Sequence, residues 1–189
     1  MTQFLAYAKA NGDRITFADG GAGGATNLCA LLFMSAVGVK FTSVSYKGSA
    51  PAMKDLLGGQ VDMLCDGATT SGPYIASGKI RAIGITGRER LHTMPNVPTL
   101  DEQGLKGFEV QSWMALYAPK NTRRPVVDRL SAALQGALAD RELLAQLDRL
   151  GMLPAEREQA TPAGLRAHLK AETEKWGSIL KKAGIPQID

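Results

Sequence analysis

The chain has 189 residues, 44% of them hydrophobic and 21% charged, with a net charge of +4, a composition that suits one sizeable soluble domain or slightly more. No apolar run approaches the ~20 residues of a membrane-spanning helix, and Met1-Thr2-Gln3-Phe4 lacks the basic and apolar regions of a secretory leader. Basic residues are mixed with acids and the densest stretch, Thr122-Arg123-Arg124, has no interleaved aromatics, which describes a solvated surface rather than a nucleic-acid footprint.

In chain order, Thr2 to Lys9 predicts a helix closed by Asn11-Gly12, and Arg14 to Ala18 a short strand. The glycine-rich turn Asp19 to Gly24 opens an apolar helix over 25–37. Phe41 to Tyr46 is β-branched and aromatic, as a strand requires. The segment Tyr46 to Asp66 then reads as strand end, tight turn and short helix. Ser49 would serve as its N-cap and Pro51 sits in its first turn, where the missing N–H costs nothing. Gly58-Gly59 stops it, Val61 to Cys65 forms a buried strand, and Asp66 stands at that strand's carboxyl end. A short helix over 71–77, stopped by Gly78, precedes a buried strand over 80–86. The stretch 93–107 is loop, short helix and turn, and 108–117 returns to strand. Alternating strands and helices with short connections predict an α/β sheet, mostly parallel and covered by helices.

After Pro119 the pattern is helical: Pro125 to Ala139, Arg141 to Leu150, and a last helix starting at Thr161-Pro162 and ending at Ala183-Gly184. The change of pattern divides the chain into 1–117 and 118–189. The apolar faces of the later helices, with Val126, Val127, Leu130, Leu134, Leu138 and Leu144, are followed by no strands that they could cover.

A helix N-terminus with unused N–H groups beside a strand end favours an anion. Two stretches fit: Gly23, Gly24, Ala25 and Thr26 at the first glycine-rich turn, and Lys47, Gly48 and Ser49 at the second. The first has three readings: a phosphate- or nucleotide-binding loop, a plain tight turn, or a carboxylate seat. It lacks the Lys-Ser/Thr of a Walker A loop and the full spacing of a dinucleotide fingerprint. Asp66 is a helix cap or turn former, or a ligand contact. Cys29 and Cys65 read as small buried hydrophobes, and a disulfide between them is compatible with an oxidising compartment. His92 and His168 carry no nucleophile elbow or metal-ligand spacing, so no catalytic set, metal site or cofactor is expected.

The runs Val44-Ser45-Tyr46-Lys47-Gly48-Ser49-Ala50-Pro51-Ala52 and Asp55-Leu56-Leu57-Gly58-Gly59-Gln60-Val61-Asp62-Met63 resemble the Bug (TctC-like) family. These are extracytoplasmic solute-binding proteins of tripartite tricarboxylate transporters. Gly78-Lys79-Ile80-Arg81-Ala82, Pro95-Asn96-Val97-Pro98-Thr99-Leu100, Leu116-Tyr117-Ala118-Pro119 and Glu174-Lys175-Trp176 extend the likeness, in family order, over almost the whole chain. The resemblance implies a type II periplasmic binding-protein fold of two α/β lobes. It also implies a non-enzymatic role: binding a small organic carboxylate, a di- or tricarboxylate or an amino acid, for membrane transporter subunits. Backbone N–H groups and hydroxyls at loop–helix junctions hold the ligand in such proteins, and Gly23, Gly24, Ala25, Thr26, Lys47, Gly48, Ser49 and Asp66 match those positions.

Two departures qualify the expectation. Gly23-Gly24 and Asn27 stand where members usually carry a hydroxyl residue and a histidine. The sequence also matches only the second lobe (1–117) and the C-terminal part of the first (118–189), so a truncated receptor is expected. Its place is the periplasm by resemblance, or the cytoplasm if the chain starts at Met1. Two rivals remain: an α/β enzyme binding nucleotide or phosphate on the Gly20 to Gly24 loop, and a truncated gene product without function.

Overall fold

The computed structural model describes residues 2–182, which divide into one compact unit up to Ser112 and a second from Trp113 onward. The first opens with α1 (Thr2–Asn11) and β1 (Thr16–Asp19), joined by a 3-10 turn. It continues with α2 (Ala25–Val37), β2 (Thr42–Ser45), α3 (Ser49–Leu57), β3 (Met63–Leu64) and α4 (Ala68–Ala76). The strands form one parallel sheet in the order β2-β1-β3, with Ala18 opposite both Val44 and Leu64.

Alternation along β1 sends successive side chains to opposite faces of this sheet. Phe17 joins Ala8, Ile15, Ala30, Phe33, Val37, Phe41, Met63 and Leu100 in the larger core, on the face covered by α1 and α2. Phe33 is its centre: Phe17 and Phe108 meet it edge-on at 6.0 and 6.2 Å, and Phe41 stacks on it at 6.3 Å. Such pairs contribute beyond their area. Ala18 faces the other way, packing with Ala52 of α3 and Val61, while Val44, Leu56 and Leu64 flank them.

Several expectations are corrected. The ladder of β3 holds two residues rather than the five of Val61 to Cys65, because Asp62 bonds to β1 through its side chain. The N–H and hydroxyl of Thr16 both donate to Asp62 Oδ2, at 2.8 and 2.7 Å, and Asp62 N–H donates back to the Thr16 hydroxyl. Residues 80–86 and 108–117 form no strands. Ile85 makes a single bridge to Thr99, and Val110 N–H donates to the Thr86 carbonyl. The Gln103 side-chain amide donates to the carbonyl of Ile83 at 3.0 Å, supplying what a neighbouring strand would otherwise give. Helix α4 begins at Ala68, three residues before the expected 71, and runs through Pro73.

Cys29 of α2 and Cys65, just past β3, are joined in a disulfide with Cα atoms 6.3 Å apart. They are therefore a covalent staple rather than two independent hydrophobes.

The second unit contains α5 (Arg124–Ala137), α6 (Arg141–Arg149) and α7 (Pro162–Lys182). The expected end of α7 at Ala183-Gly184 lies outside the described residues. Among the described residues from Trp113 on, Ala160 is the only buried hydrophobic. Met114, Leu116, Tyr117, Val126, Leu130, Leu150 and Leu153 are all exposed, Met114 and Leu153 by more than four-fifths. Trp113 packs edge-on against His168 with ring centres 4.8 Å apart, which gives that histidine a structural role.

Two predictions follow from the first unit's ties. The disulfide closes 36 residues, and the chain-entropy model gives such a loop about 4 kcal/mol. Replacing both cysteines with alanine should lower stability by about 2–4 kcal/mol in urea denaturation, and reductant should destabilise the wild type but not the variant. Asp62 has its carboxyl held below the ordinary value by the Thr16 donors. A carboxylate depressed in the folded state adds stability above its unfolded pKa and loses it as pH falls through the folded one. The D62N variant should therefore lose stability at neutral pH and show a flatter acid limb below about pH 4 in a pH series of thermal melts.

Candidate functional site

The carboxyl ends of β1, β2 and β3 lie at one edge of the sheet, since the strands are parallel. From that edge the chain enters α2, α3 and α4 through short turns, so all three helices start there. Their N-caps are Gly24, Gly48 and Gly67, and none receives a side-chain cap. This corrects Ser49, which is the first helical residue rather than the cap. At α6 and α7 side chains do cap: Asp140 accepts from Leu143 N–H and Thr161 from Gly164 N–H, whereas α5, like α2 to α4, has no side-chain cap. The edge thus gathers three helix starts without a side-chain cap.

The first two turns are laced together. Tyr46 N–H donates to the Asp19 carbonyl at 2.9 Å and Gly48 N–H to the Gly20 carbonyl at 3.0 Å. A Cβ on Gly20 would stand 3.1 Å from the Thr26 hydroxyl oxygen and 3.3 Å from the backbone of Gly48 and Ser49. A side chain there would crowd both neighbours, so glycine favours the close approach that brings the starts of α2 and α3 side by side. Gly48 holds φ at +107°, a conformation that L side chains rarely adopt. The Tyr46 hydroxyl donates to Asp55 Oδ2 at 2.8 Å, fastening α3 to the end of β2, and that contact raises the tyrosine's pKa.

Beneath the first turn lies Asp19, 1% exposed. Its Oδ1 accepts from Gly21 N–H at 2.8 Å, and its Oδ2 from the Asn27 amide at 3.1 Å and the Ser45 hydroxyl at 3.0 Å. One carboxylate therefore joins the ends of β1 and β2 to the first turn of α2. Sequence reasoning missed this cluster. Its signal was an aspartate at the meeting of a buried strand and a glycine-rich turn, where an acid is unusual unless paired.

The expected site residues divide into two kinds. The N–H groups of Gly23 and Gly24 are spent inside the turn, on Asn27 Oδ1 and the Gly21 carbonyl. Among the described residues, those of Ala25 and Thr26 have no protein acceptor, and neither do those of Ser49 and Ala50 on α3 or Ala68 and Thr69 on α4. The Thr26 hydroxyl oxygen accepts from Gly20 N–H, leaving its proton to donate outward. Lys47 is exposed on the second turn. Asp66 follows Cys65 at the end of β3, and its Oδ2 is shut from solvent with no hydrogen-bond partner. The start of α4 was not anticipated as a donor. The arrangement can bind an anion through backbone donors and helix ends. Among the described residues no group of three or more His, Cys, Asp or Glu could hold a metal ion.

Comparison with known proteins finds relatives in sequence and in structure. A UPF0065 protein of Agrobacterium vitis, from the TAR-I ttuE-ttuC' intergenic region, is 41% identical over 184 residues, 97% of this chain and 53% of its own length. The solved periplasmic binding protein BugD superimposes with a TM-score of 0.93 at 41% identity, covering 100% of this chain and 62% of BugD. MatC from Rhodopseudomonas palustris, solved with bound malate, gives 0.89 at 33% identity over 95% of this chain and 61% of its own. The chain thus spans about half the length of that curated relative. The α/β fold is that of the periplasmic binding proteins. The model of the tripartite tricarboxylate transporter family receptor (TctC) matches residues 1–185, and the chain belongs to that family of solute-binding receptors.

Proposed function

We propose that this chain is the part of a periplasmic solute receptor that seats a small organic carboxylate, and that it binds rather than transforms its ligand. The observation that carries the reading is the convergence of three uncapped helix starts with unspent N–H groups at Ala25, Thr26, Ser49, Ala50, Ala68 and Thr69. A carboxylate oxygen satisfies such groups and gains from the helix dipoles. Malate in MatC is a carboxylate bound by a relative of this fold. In this reading Gly23, Gly24 and Gly48 shape the turns, Ala25, Thr26 and Ser49 donate, and Lys47 and Asp66 stand beside the ligand.

Residues 1–117 correspond to the second lobe of a two-lobed receptor and 118–189 to the C-terminal part of its first. Loaded receptor would deliver its ligand to membrane transporter subunits. The Cys29–Cys65 disulfide supports an oxidising compartment such as the periplasm. The phosphate-loop alternative has less support, because the N–H groups of Gly20, Gly21, Gly23 and Gly24 are all spent within the protein. A cradle needs those donors free.

The test is a titration of the labelled 189-residue chain with malate, citrate, glutamate and nicotinate, followed by amide NMR. One lobe's donors alone should give a Kd on the order of 1 mM, with shifts concentrated at 25–26, 49–50 and 68–69. Nucleotides should leave those amides unmoved. Shifts with nucleotide alone, or carboxylate shifts elsewhere, would overturn the reading. The G48A variant forces alanine into a positive φ; it should cost about 1–2 kcal/mol of stability and weaken carboxylate binding several-fold in the same titration.

A further inference from the structure

The seat is built for an anion, yet its own charge is not positive. Across the three turns, residues 19–25, 46–49 and 65–68, the sequence places Asp19 and Asp66 against a single cation, Lys47. Lys47 is exposed to water, whereas Asp19 is buried and Oδ2 of Asp66 is sealed from solvent without a donor. Solvent screens the cation far more than it screens the acids.

Asp19 is placed to matter most. Three donors converge on its two oxygens, an arrangement that uses it only as an acceptor and suits the ionised carboxylate. Among the described residues no basic side chain is shown paired with it, so its charge is held by neutral dipoles. Two of those donors, Gly21 N–H and the Asn27 amide, belong to the turn and first turn of α2, whose start offers the Ala25 and Thr26 N–H groups. The carboxylate therefore stands behind one of the three helix ends and offsets part of its positive potential.

We propose that Asp19 is the charge-selecting residue of the seat, with Asp66 reinforcing it. The ligand class is then a carboxylate of low net negative charge, a monocarboxylate or one that carries its own ammonium group, rather than a di- or tricarboxylate anion. This rests on the carboxylate reading above. A first carboxylate gains from the N–H groups of the three helix starts. Each further negative charge meets the field of two acids, whereas an ammonium group is attracted by it.

Three probes share a three-carbon carboxylate skeleton and differ only at the far end: succinate carries a second carboxylate, propanoate a hydrogen, and β-alanine an ammonium. Amide NMR titrations at fixed ionic strength should give affinities in the order β-alanine, propanoate, succinate for the wild type. The D19N variant keeps the side-chain shape and removes the charge, and should move the succinate to β-alanine affinity ratio about tenfold toward succinate, as a unit charge several ångströms away implies. The double variant D19N/N27D returns one carboxylate to the same cluster with donor and acceptor exchanged, and should restore most of the wild-type ratio.

A merely structural Asp19 would weaken all three ligands alike and leave the ratio unchanged, which would overturn the proposal. Succinate binding tightest to the wild type would overturn it too, while leaving the carboxylate seat intact. If none of the three probes moved the amides at 25–26, 49–50 and 68–69, the carboxylate reading itself would fall, and this inference with it.

Discussion

A parallel ladder cannot be closed by tight turns; each strand must be followed by a crossover, here a helix, that returns the chain to the opposite edge. With β1, β2 and β3 all parallel, every helix that follows them starts at the same edge. The sheet is small, but that constraint alone gathers three sets of backbone donors at one place. What the side chains add is the choice not to neutralise them. Glycine caps at α2, α3 and α4 leave open what Asp140 and Thr161 close at α6 and α7. The proposed anion seat is thus a property of topology first and of residue identity second.

Much of this was legible in the sequence because local signals and tertiary demands coincide. The apolar run of α2 begins where the glycine-rich turn ends and stops at Gly38, so its boundaries, Ala25 and Val37, could be read directly. The two turns feeding α2 and α3 announced themselves by glycine content. The failures have physical causes. Residues 80–86 and 108–117 have strand-like side chains, but a strand exists only where a neighbour supplies a ladder, and the two bonds between Thr86 and Val110 with one bridge at Ile85 do not make one. The placement of Ser49 went wrong because a good capping residue type sits one position inside a helix whose geometry demanded glycine at Gly48. Asp19 was passed over because its partners, Asn27 and Ser45, are brought to it only by the fold.

The two units differ in how they bury apolar surface. The first surrounds Phe33 with aromatic rings and closes its sheet on both faces. The second has amphipathic helices whose stripes, with Val126 and Leu130 among them, remain in contact with water. An amphipathic stripe stabilises a helix only when something covers it. The stability of the chain therefore rests mainly on the first unit, and substitutions in α5 to α7 should be tolerated more easily than those around Phe33.

The Cys29–Cys65 bond joins the helix that opens from the first turn to the residue next to Asp66. Together with the main chain it forms a covalent ring that encloses β2 and α3, and with them the second turn. Fraying of the second turn would have to stretch that ring, so the low-energy fluctuations that usually loosen a binding edge are restrained there. Part of the entropy of ordering the start of α3 is then lost during oxidative folding, before any ligand arrives. The start of α3 is in this respect a rigid template.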